Sequence, residues 1–459
     1  MMPGSTDLEN FLREIDRTIF FDDAISTTLH AYDATDRFFY PIGVVRPRTV
    51  EELGHVVAAA DRARLPITAR GAGTGFSGGS LPVEGGIVLD LLGLNRIVEI
   101  DEIDMTAWVE PGVITRHFQD AVEAHGLYYP PDPASLKICT LGGNVAENAG
   151  GPHCLKYGVT RDYVMAIDGF TGDGRRFMAG KQVYKNRAGY DLRQLLIGSE
   201  GTLGVFAGFR LKLTAKPEAR VLFSAYFDKM DDATEMVGTI LRKGVTPSSL
   251  EFMDKSALEA VERYTQRGLP LQYEAFLLIE IDGRIDEIPE LRKRVESALH
   301  GVAGEVRVAT DATEQEKLWE TRRKASPAMR LYGPTKMNED IVVPRKCVPE
   351  AIRAIREIAE RRQLKIISFG HIGDGNIHVN IMHDAADPEE KRRVDLGAND
   401  LFAMVNRLGG AISGEHGIGW SKKPYLQANI DSTSFALMRE IKRTFDPHGI
   451  LNPGKIFDC

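Results

Sequence analysis

Apolar positions along the chain change period several times, and each change marks an element. In TVEELGHVVAAADRAR (Thr49 to Arg64) Val50, Leu53, Val56, Val57 and Ala60 recur at helical spacing, and Thr49 with Glu52 supplies a capping box at the start. This reads as a packing helix. LFSAYF (Leu222 to Phe227) and AFLLIEI (Ala275 to Ile281) are strand-sized apolar runs, and IPELRKRVESAL (Ile288 to Leu299) is a charged helix. Ser432 to Arg443 is amphipathic at helical spacing, and FDPHGILNPGKIF (Phe445 to Phe457) ends that helix with proline and glycine. From about Gly43 to Pro217 short strands alternate with helical patterns amid the densest glycine of the chain, whereas from about Glu218 to His383 glycine thins and strands alternate with charged helices. The pattern predicts a helical lead over 1–40, an α+β nucleotide domain over 41–217, a second α/β domain over 218–425, and a C-terminal helix and tail over 426–459.

Two glycine-broken stretches interrupt this patterning: GHIGDGNIH (Gly370 to His378) and SGEHGIG (Ser413 to Gly419). A helix would put His371 and His378 on one face, but Gly373 and Gly375 between them each cost about 1 kcal/mol against alanine there. In one continuous strand, residues an odd number apart face opposite ways. Both histidines therefore reach one ion only if a glycine loop turns the chain back between them. Beyond the loop, HVNIM puts His378 and Asn380 on one strand face and Val379 and Ile381 on the other, toward an apolar layer. Glu415 and His416 are adjacent, and Gly414, Gly417 and Gly419 allow the irregular turn that both would need to face one point. Neutral imidazoles plus a carboxylate suit zinc, manganese or iron(II) with positions open for a substrate, and clustered His and Glu on glycine turns read as a metal site beside a catalytic base.

At 459 residues, 43% hydrophobic and 27% charged, the chain suffices for two or three domains. A net charge of -8 without a concentrated Lys/Arg run argues against a nucleic-acid partner. No apolar run approaches the about 20 residues that span a bilayer, and the N-terminus lacks a basic-then-apolar signal. The expected location is cytoplasmic, with peripheral attachment to the inner membrane through a partner left open, as is a homodimer. The four cysteines, Cys139, Cys154, Cys347 and Cys459, show no CxxC spacing, which excludes a cysteine-ligated iron-sulfur cluster within the chain.

LPITARGAGTGFSGGSLP (Leu65 to Pro82) sets a strand before a glycine run whose backbone N–H groups can converge on an anion. The next residues, GGIVLDL, form another strand rather than a helix, which disfavours a Rossmann fingerprint. Glycine-rich clusters at Pro130 to Gly158 and at GSEGTLGVF (Gly198 to Phe206) suggest, with the first, one large extended ligand. In order, RGAGTGFSGGS, DPAS, TLGGNVAENAGGPHCLKYG, GSEGTLGV, GHIGDGNIH, SGEHGIG and LNPGK resemble the FAD-linked oxidases of vanillyl-alcohol-oxidase type, over about Tyr40 to Phe457. Within them the chain is most similar to the D-2-hydroxyacid dehydrogenase group, which includes D-lactate dehydrogenase, the D subunit of glycolate oxidase and D-2-hydroxyglutarate dehydrogenase.

The resemblance implies an α+β fold: a two-subdomain FAD-binding domain, and an α/β cap domain with an antiparallel sheet that carries substrate and metal. It implies that Arg70, Gly71, Gly73, Thr74, Gly75, Gly78 and Gly79 line the pyrophosphate. Pro131, Asp132, Ser135, Thr140, Gly142, Gly143, Asn144, Gly150, Gly158, Glu200, Gly201 and Val205 would hold the rest of the flavin, with Asn452 and Lys455 closing over it. Relatives with attached flavin carry histidine near the position of Thr74, so non-covalent FAD is implied, Cys139 and His153 being the chemically possible attachment points.

In the implied reaction a D-2-hydroxyacid loses its C2 hydride to flavin N5. A divalent metal, zinc before manganese or iron, held by His371, His378 and Glu415, would polarise the hydroxyl, and His416 would take its proton. By resemblance Asn380 hydrogen-bonds the substrate and Arg322 grips its carboxylate, a task for which a planar guanidinium is suited. Arg323 is the neighbouring candidate, and Lys336 is the nearest counterpart of the lysine that holds a second carboxylate in glutarate-specific relatives. D-Lactate or glycolate leads D-2-hydroxyglutarate as substrate. A non-redox alkyl-dihydroxyacetonephosphate synthase-like flavoprotein and an electron-transfer subunit with a vestigial site are the other readings. The electron acceptor is expected to be separate: an iron-sulfur subunit, an electron-transfer flavoprotein, a quinone or a cytochrome.

Overall fold

A computed structural model describes residues 5–458, so Cys459 lies outside the described residues. The chain divides into two compact units, one of residues 1–150, 159–216 and 415–459 and one of residues 151–158 and 217–414.

The first unit is built on two sheets. Strands β1 (Phe20–Phe21), β2 (Gly43–Val45), β3 (Ile67–Arg70) and β4 (Ile87–Asp90) form the order β1-β2-β4-β3, in which β2 and β3 both run parallel to β4. Ile87, Val88 and Leu89 are all fully buried, as a central parallel strand covered on both faces should be. The helix Val50–Ala63 packs Leu53, Val56, Val57 and Ala60 into the same core. Its Thr49 hydroxyl caps the Glu52 N–H at 3.1 Å, while the Glu52 carboxylate reaches back to the Arg48 N–H at 2.7 Å. Parallel neighbours need a long crossover, most often a helix. Here the crossover from β3 to β4 is the glycine-rich loop itself, residues 71–86.

Chain order continues with β5 (Ile97–Asp101), β6 (Thr106–Val109), β7 (Leu127–Tyr128), β8 (Val164–Phe170), β9 (Arg176–Gly180), β10 (Val205–Lys212) and β11 (Thr214–Ala215). Five of these make an antiparallel sheet of order β5-β6-β10-β8-β9, and β7 pairs with β11.

The second unit is one seven-stranded antiparallel sheet formed by β12 (Ala219–Phe227), β13 (Ser249–Asp254), β14 (Ala275–Gly283), β15 (Glu305–Ala309), β16 (Thr335–Val342), β17 (Lys365–Gly370) and β18 (Asn376–His383). Their order is β15-β12-β14-β13-β17-β18-β16. The vanillyl-alcohol-oxidase architecture of two domains with antiparallel sheets is thus present. Directly opposed residues on antiparallel strands share a face. The pairs Ser249↔Glu280, Met253↔Phe369, Phe369↔His378, Asn338↔Asn380 and Asp340↔His378 therefore put Glu280, Glu251, His378, Asn380, Lys336, Asn338 and Asp340 on one side of the sheet. Toward its other end the same face is apolar, with Leu222, Tyr226, Phe276, Leu278, Met253 and Ile367 buried in one cluster. Among the described residues no helix is long and apolar enough to cross a membrane.

Segment 151–158, which the flavin motif would assign to the first domain, belongs to the second unit because three of its side chains are held by two acids of β14. His153 Nε2 stands 3.0 Å from Glu280 Oε1, Lys156 Nζ donates to Asp282 Oδ1 at 2.5 Å, and the Tyr157 hydroxyl donates to Asp282 Oδ2 at 2.6 Å. Glu280 also accepts from Ser248 Oγ and Trp319 Nε1, each at 2.9 Å. Burial opposes ionisation of Glu280, but the charge and hydrogen bond of His153, with Arg220 and Trp319, outweigh it and bring the carboxyl from 4.5 down to about 2. A carboxyl depressed on folding adds stability that is present above its unfolded pKa and lost as pH falls through its folded one. The window is therefore from about pH 4.5 down to about 2, and the contribution is on the order of 3 kcal/mol. Glu280→Gln is expected to lower the thermal midpoint at pH 7, with a gap to wild type that narrows as pH is taken from 5 toward 2.5. Midpoints measured over that range check it, and a gap independent of pH would exclude the ion pair as the source.

Candidate active site

In the first unit a cleft of about 1240 Å³, measured out to its open mouth, is walled by the glycine loops. Of the residues expected around the pyrophosphate, Arg70, Gly71, Gly73, Thr74, Gly75 and Gly79 line it, and Gly78 does not. Glycine is required at two points of this wall. A Cβ on Gly73, where φ is +65°, would lie 2.1 Å from the Arg70 guanidinium, and one on Gly71 would lie 2.2 Å from Thr140 Oγ1. The Arg70 side chain turns away to tie the loop, donating to Tyr32 O at 2.7 Å, and burial pulls its guanidinium down.

The second and third loops complete the wall with Ser135, Thr140, Gly142, Gly143, Asn144 and Gly150, then Glu200 and Gly201. Thr140 caps the short helix Leu141–Glu147, accepting the Gly143 N–H at 3.2 Å, and Asn144 donates to Thr115 Oγ1 at 2.7 Å. Pro131, Asp132 and Val205 stand outside the wall, and Gly158 falls in the other unit. Asn452 and Lys455 are likewise not wall residues. Asn452 Nδ2 donates to Gly79 O at 2.7 Å and Glu200 O at 2.8 Å, and Lys455 Nζ donates to Leu81 O at 2.5 Å, so both bind loop carbonyls. Burial takes Lys455 down to about 7, with Glu200 and Asp33 opposing the shift. Cys139 lines the cleft with its thiol pushed up by burial and in contact with Thr115 Oγ1 at 3.3 Å, whereas His153 is engaged by Glu280 in the other unit. A cleft walled by three glycine-rich loops, in which a Cβ on Gly71, Gly73 or Gly142 would lie under 3 Å from a neighbouring atom, fits FAD.

Glu415 and His416 also line this cleft. The His416 ring lies 4.9 Å from that of Phe76. The turn that carries it is pinned by Glu200, whose two carboxylate oxygens accept the N–H groups of Ile418 at 2.8 Å and Gly419 at 2.6 Å. Trp420 N–H and Ser421 N–H both donate to Ser77 O, at 2.9 and 3.0 Å. Glu200 is buried, which raises its pKa against the pull of those two amides.

In the second unit the chain reverses between β17 and β18 through residues 371–375, with Gly370 at φ +158° and Gly375 at φ +86°. The reversal brings His371 Nε2 and His378 Nε2 to 3.4 Å, with the rings at 84°. Two nitrogens bound to one zinc at about 2.05 Å and at the tetrahedral angle stand about 3.35 Å apart, so the pair fits a metal ion. His371 Nδ1 lies 2.6 Å from Glu251 Oε1, a fully buried carboxylate whose Oε2 is paired with Arg322 Nη2 at 2.7 Å. Burial opposes ionisation of Glu251, but the charges of His371 and Arg322 prevail and hold it below the usual range.

Arg322, on the helix Ala312–Arg323, is buried with its guanidinium 4.5 Å above the Phe369 ring, and its Nε has no partner among the described residues. Arg323 is exposed and paired with Glu316, so the two neighbours have different surroundings. Asn380 donates to Ile367 O at 3.2 Å, and its buried Oδ1 is also without a partner among the described residues. Lys336, on the same sheet face, donates to Ser326 Oγ at 3.0 Å. Asp340, opposite His378 in register, accepts from Ser413 Oγ at 3.1 Å and from Gly414 N–H at 2.7 Å, which fixes the residue just before Glu415. Glu251 escapes a reading of the sequence: in SLEFMD it is one acid in an apolar strand, and only its burial without a local cation marks it.

One unit walled for an extended nucleotide, and another carrying convergent imidazoles and a buried guanidinium, are the features of a flavin-dependent oxidoreductase. Residues 41–180 match the FAD binding domain, and residues 216–456 match the C-terminal domain of FAD linked oxidases; the chain belongs to the FAD-linked oxidases. It is 41% identical over 441 residues to "Glycolate oxidase subunit GlcD" of Bacillus subtilis, covering 95% of this chain and 94% of that protein. It is 36% identical to "D-lactate dehydrogenase" of Archaeoglobus fulgidus, covering 90% of each. Substrate-bound p-cresol methylhydroxylase shares the fold at a TM-score of 0.82 and 18% identity, over 99% of this chain and 96% of that one.

Gly417 has φ +81°, and a Cβ there would lie 2.3 Å from Glu147 Oε2 and 3.1 Å from the Glu200 carboxyl carbon. An L-residue in that conformation costs about 1–2 kcal/mol before any clash. Gly417→Ala is expected to keep the melting midpoint of the second unit and the flavin content while lowering turnover at least tenfold, because the turn bearing His416 must shift. Wild-type turnover in this variant would show that the turn is not held to that geometry.

Proposed function

We propose that this flavoprotein oxidises a small D-2-hydroxyacid, D-lactate or glycolate, to the 2-oxoacid. The observation that carries the reading is the buried cluster of the second unit: a guanidinium with a spare N–H and an amide with a spare oxygen, on the same sheet face as two converging imidazoles. Bound non-covalently, FAD supplies the acceptor for the C2 hydride, and a divalent metal, zinc before manganese or iron, supplies the charge that acidifies the 2-hydroxyl.

The remaining work falls to the chain. Arg322 binds the carboxylate with its fork while its other edge stays on Glu251. Asn380 presents Oδ1 as an acceptor that orients the substrate. His371 and His378 are metal ligands, a reading supported by their imidazole spacing, and Glu415 is the third by the family motif. His416 takes the 2-hydroxyl proton, a task suited to histidine because an unperturbed imidazole, at about 6.5, titrates near working pH. Domains 41–217 and 218–425, with the C-terminal tail, are the corresponding functional regions. The chain's cysteines supply no cluster, so electrons leave to a separate carrier: an iron-sulfur subunit, an electron-transfer flavoprotein, a quinone or a cytochrome. The B. subtilis relative's designation as a subunit supports a partner polypeptide.

A second reading, oxidation of D-2-hydroxyglutarate, is favoured by Lys336, which lies on the same sheet face two residues from Asn338 and could hold a second carboxylate. With an artificial dye as acceptor, D-lactate and glycolate are expected to turn over and L-lactate not. Faster turnover of D-2-hydroxyglutarate than of either would replace the first reading with the second. His416→Ala is expected to lower kcat by about 10² to 10⁴ without loss of flavin. Full activity in chelator-stripped protein would remove the metal from the reading.

A further inference from the structure

Glu251 contacts both a histidine and the arginine of the proposed reaction, yet that reaction gives it no task of its own. It projects from the middle of β13, fully buried, and it has no neighbour in sequence that could neutralise it. Its partners come from far along the chain. His371 follows the end of β17, which pairs with β13 only through Phe252↔Gly370 and Met253↔Phe369 before the two diverge. Past that point the turn is tied to β13 by the Gly373 N–H on Leu250 O at 3.3 Å and by His371 Nδ1 on Glu251 Oε1 at 2.6 Å. Arg322 comes from a helix, its fork steered by Phe369 beneath it and by Glu251 Oε2 at its edge.

Each oxygen of this carboxylate thus has a different client. A carboxylate on Nδ1 makes that nitrogen the N–H donor, fixes the ring plane and leaves Nε2 as the lone-pair side, and Nε2 is the atom that faces His378 Nε2 at 3.4 Å. The same carboxylate on Nη2 leaves Nε of Arg322 as the donor still to be satisfied. Whatever this ion pair adds to stability, a carboxylate held between two partners also fixes the orientation of both.

We infer that Glu251 is a positioning residue shared by the metal half and the carboxylate half of the site, orienting His371 through one oxygen and Arg322 through the other. The inference rests on the reading of the two histidines and Arg322 given above, and the experiment separates its failure from the failure of that reading. Full-length, flavin-loaded wild type, E251Q, E251D and R322M are compared by zinc affinity, from competition with a chelator, and by KM for D-lactate at saturating zinc. Flavin content and melting midpoint report folding. Hydrogen-bond partners that orient metal ligands are worth about 10- to 100-fold in affinity. E251Q is expected to weaken zinc by that factor and to raise KM at least tenfold, whereas R322M raises KM and leaves zinc affinity within twofold. If E251Q does not fold, E251D carries the test: it keeps the charge but is one methylene short of spanning both clients, so it too should weaken zinc or raise KM.

Wild-type zinc affinity and KM in the Glu251 variant that folds would overturn the inference. So would a change in only one of the two in E251Q, or an equal loss of zinc affinity in R322M, which would mark the cluster as a general structural support. Wild type that binds no zinc would remove the metal reading and this inference with it.

Discussion

A charge taken out of water must be given partners, and in the second unit that requirement organises one end of a sheet. Glu251 and Glu280 stand on neighbouring strands with less than 2% of either exposed, and each gathers several side chains from distant segments. Glu280 collects His153, Ser248 and Trp319; Glu251 collects His371 and Arg322. The face that carries them continues into an apolar cluster, so hydrophobic burial holds the strands in register while the acids determine which polar groups meet at the other end. Removing one member of such a network strands the others, which is why its parts cannot be assessed singly.

The first unit meets a different constraint, the close approach of backbone to a ligand. Its parallel neighbours β3 and β4 are joined without a helix, and the crossover depends on glycine at Gly71, Gly73 and Gly86, where a Cβ would lie within 2.2 Å of a neighbouring atom. Stiffness is supplied from behind the loops by Arg70, Asn452 and Lys455, which spend their polar groups on backbone carbonyls. These three residue types look like ligands for a phosphate in a sequence. Their burial gives them another task, since a buried donor must be satisfied whether or not a cofactor is bound.

Elements whose signal is local could be read along the chain. The helix after Thr49, the helix Ile288–Leu299, the long strands β12 and β14 and the reversal between His371 and His378 follow from period, capping and glycine placement. What could not be read depends on register between strands far apart in sequence. Nothing near Glu251 points to Arg322 or His371, and nothing near His153 announces that its segment packs on β14. The choice between Arg322 and Arg323 is of the same kind: one is buried above Phe369 and the other solvated beside Glu316, a difference set by which face of a helix meets the sheet.

Glu200 joins the two kinds of constraint within the first unit. It sits at φ +52°, a conformation uncommon for a residue with a side chain, in the loop that also forms part of the cofactor wall. Its carboxylate turns to the amides that follow His416, so a loop that shapes the cleft for the nucleotide also holds the turn that carries His416. Its backbone carbonyl is held in turn by Asn452, and Lys455 binds both the Asn452 amide oxygen and Leu81 O of the first loop. The cofactor wall and the turn bearing His416 are therefore parts of one hydrogen-bonded assembly. A substitution that loosens the C-terminal tail should reach His416 through Glu200 without touching either substrate or flavin.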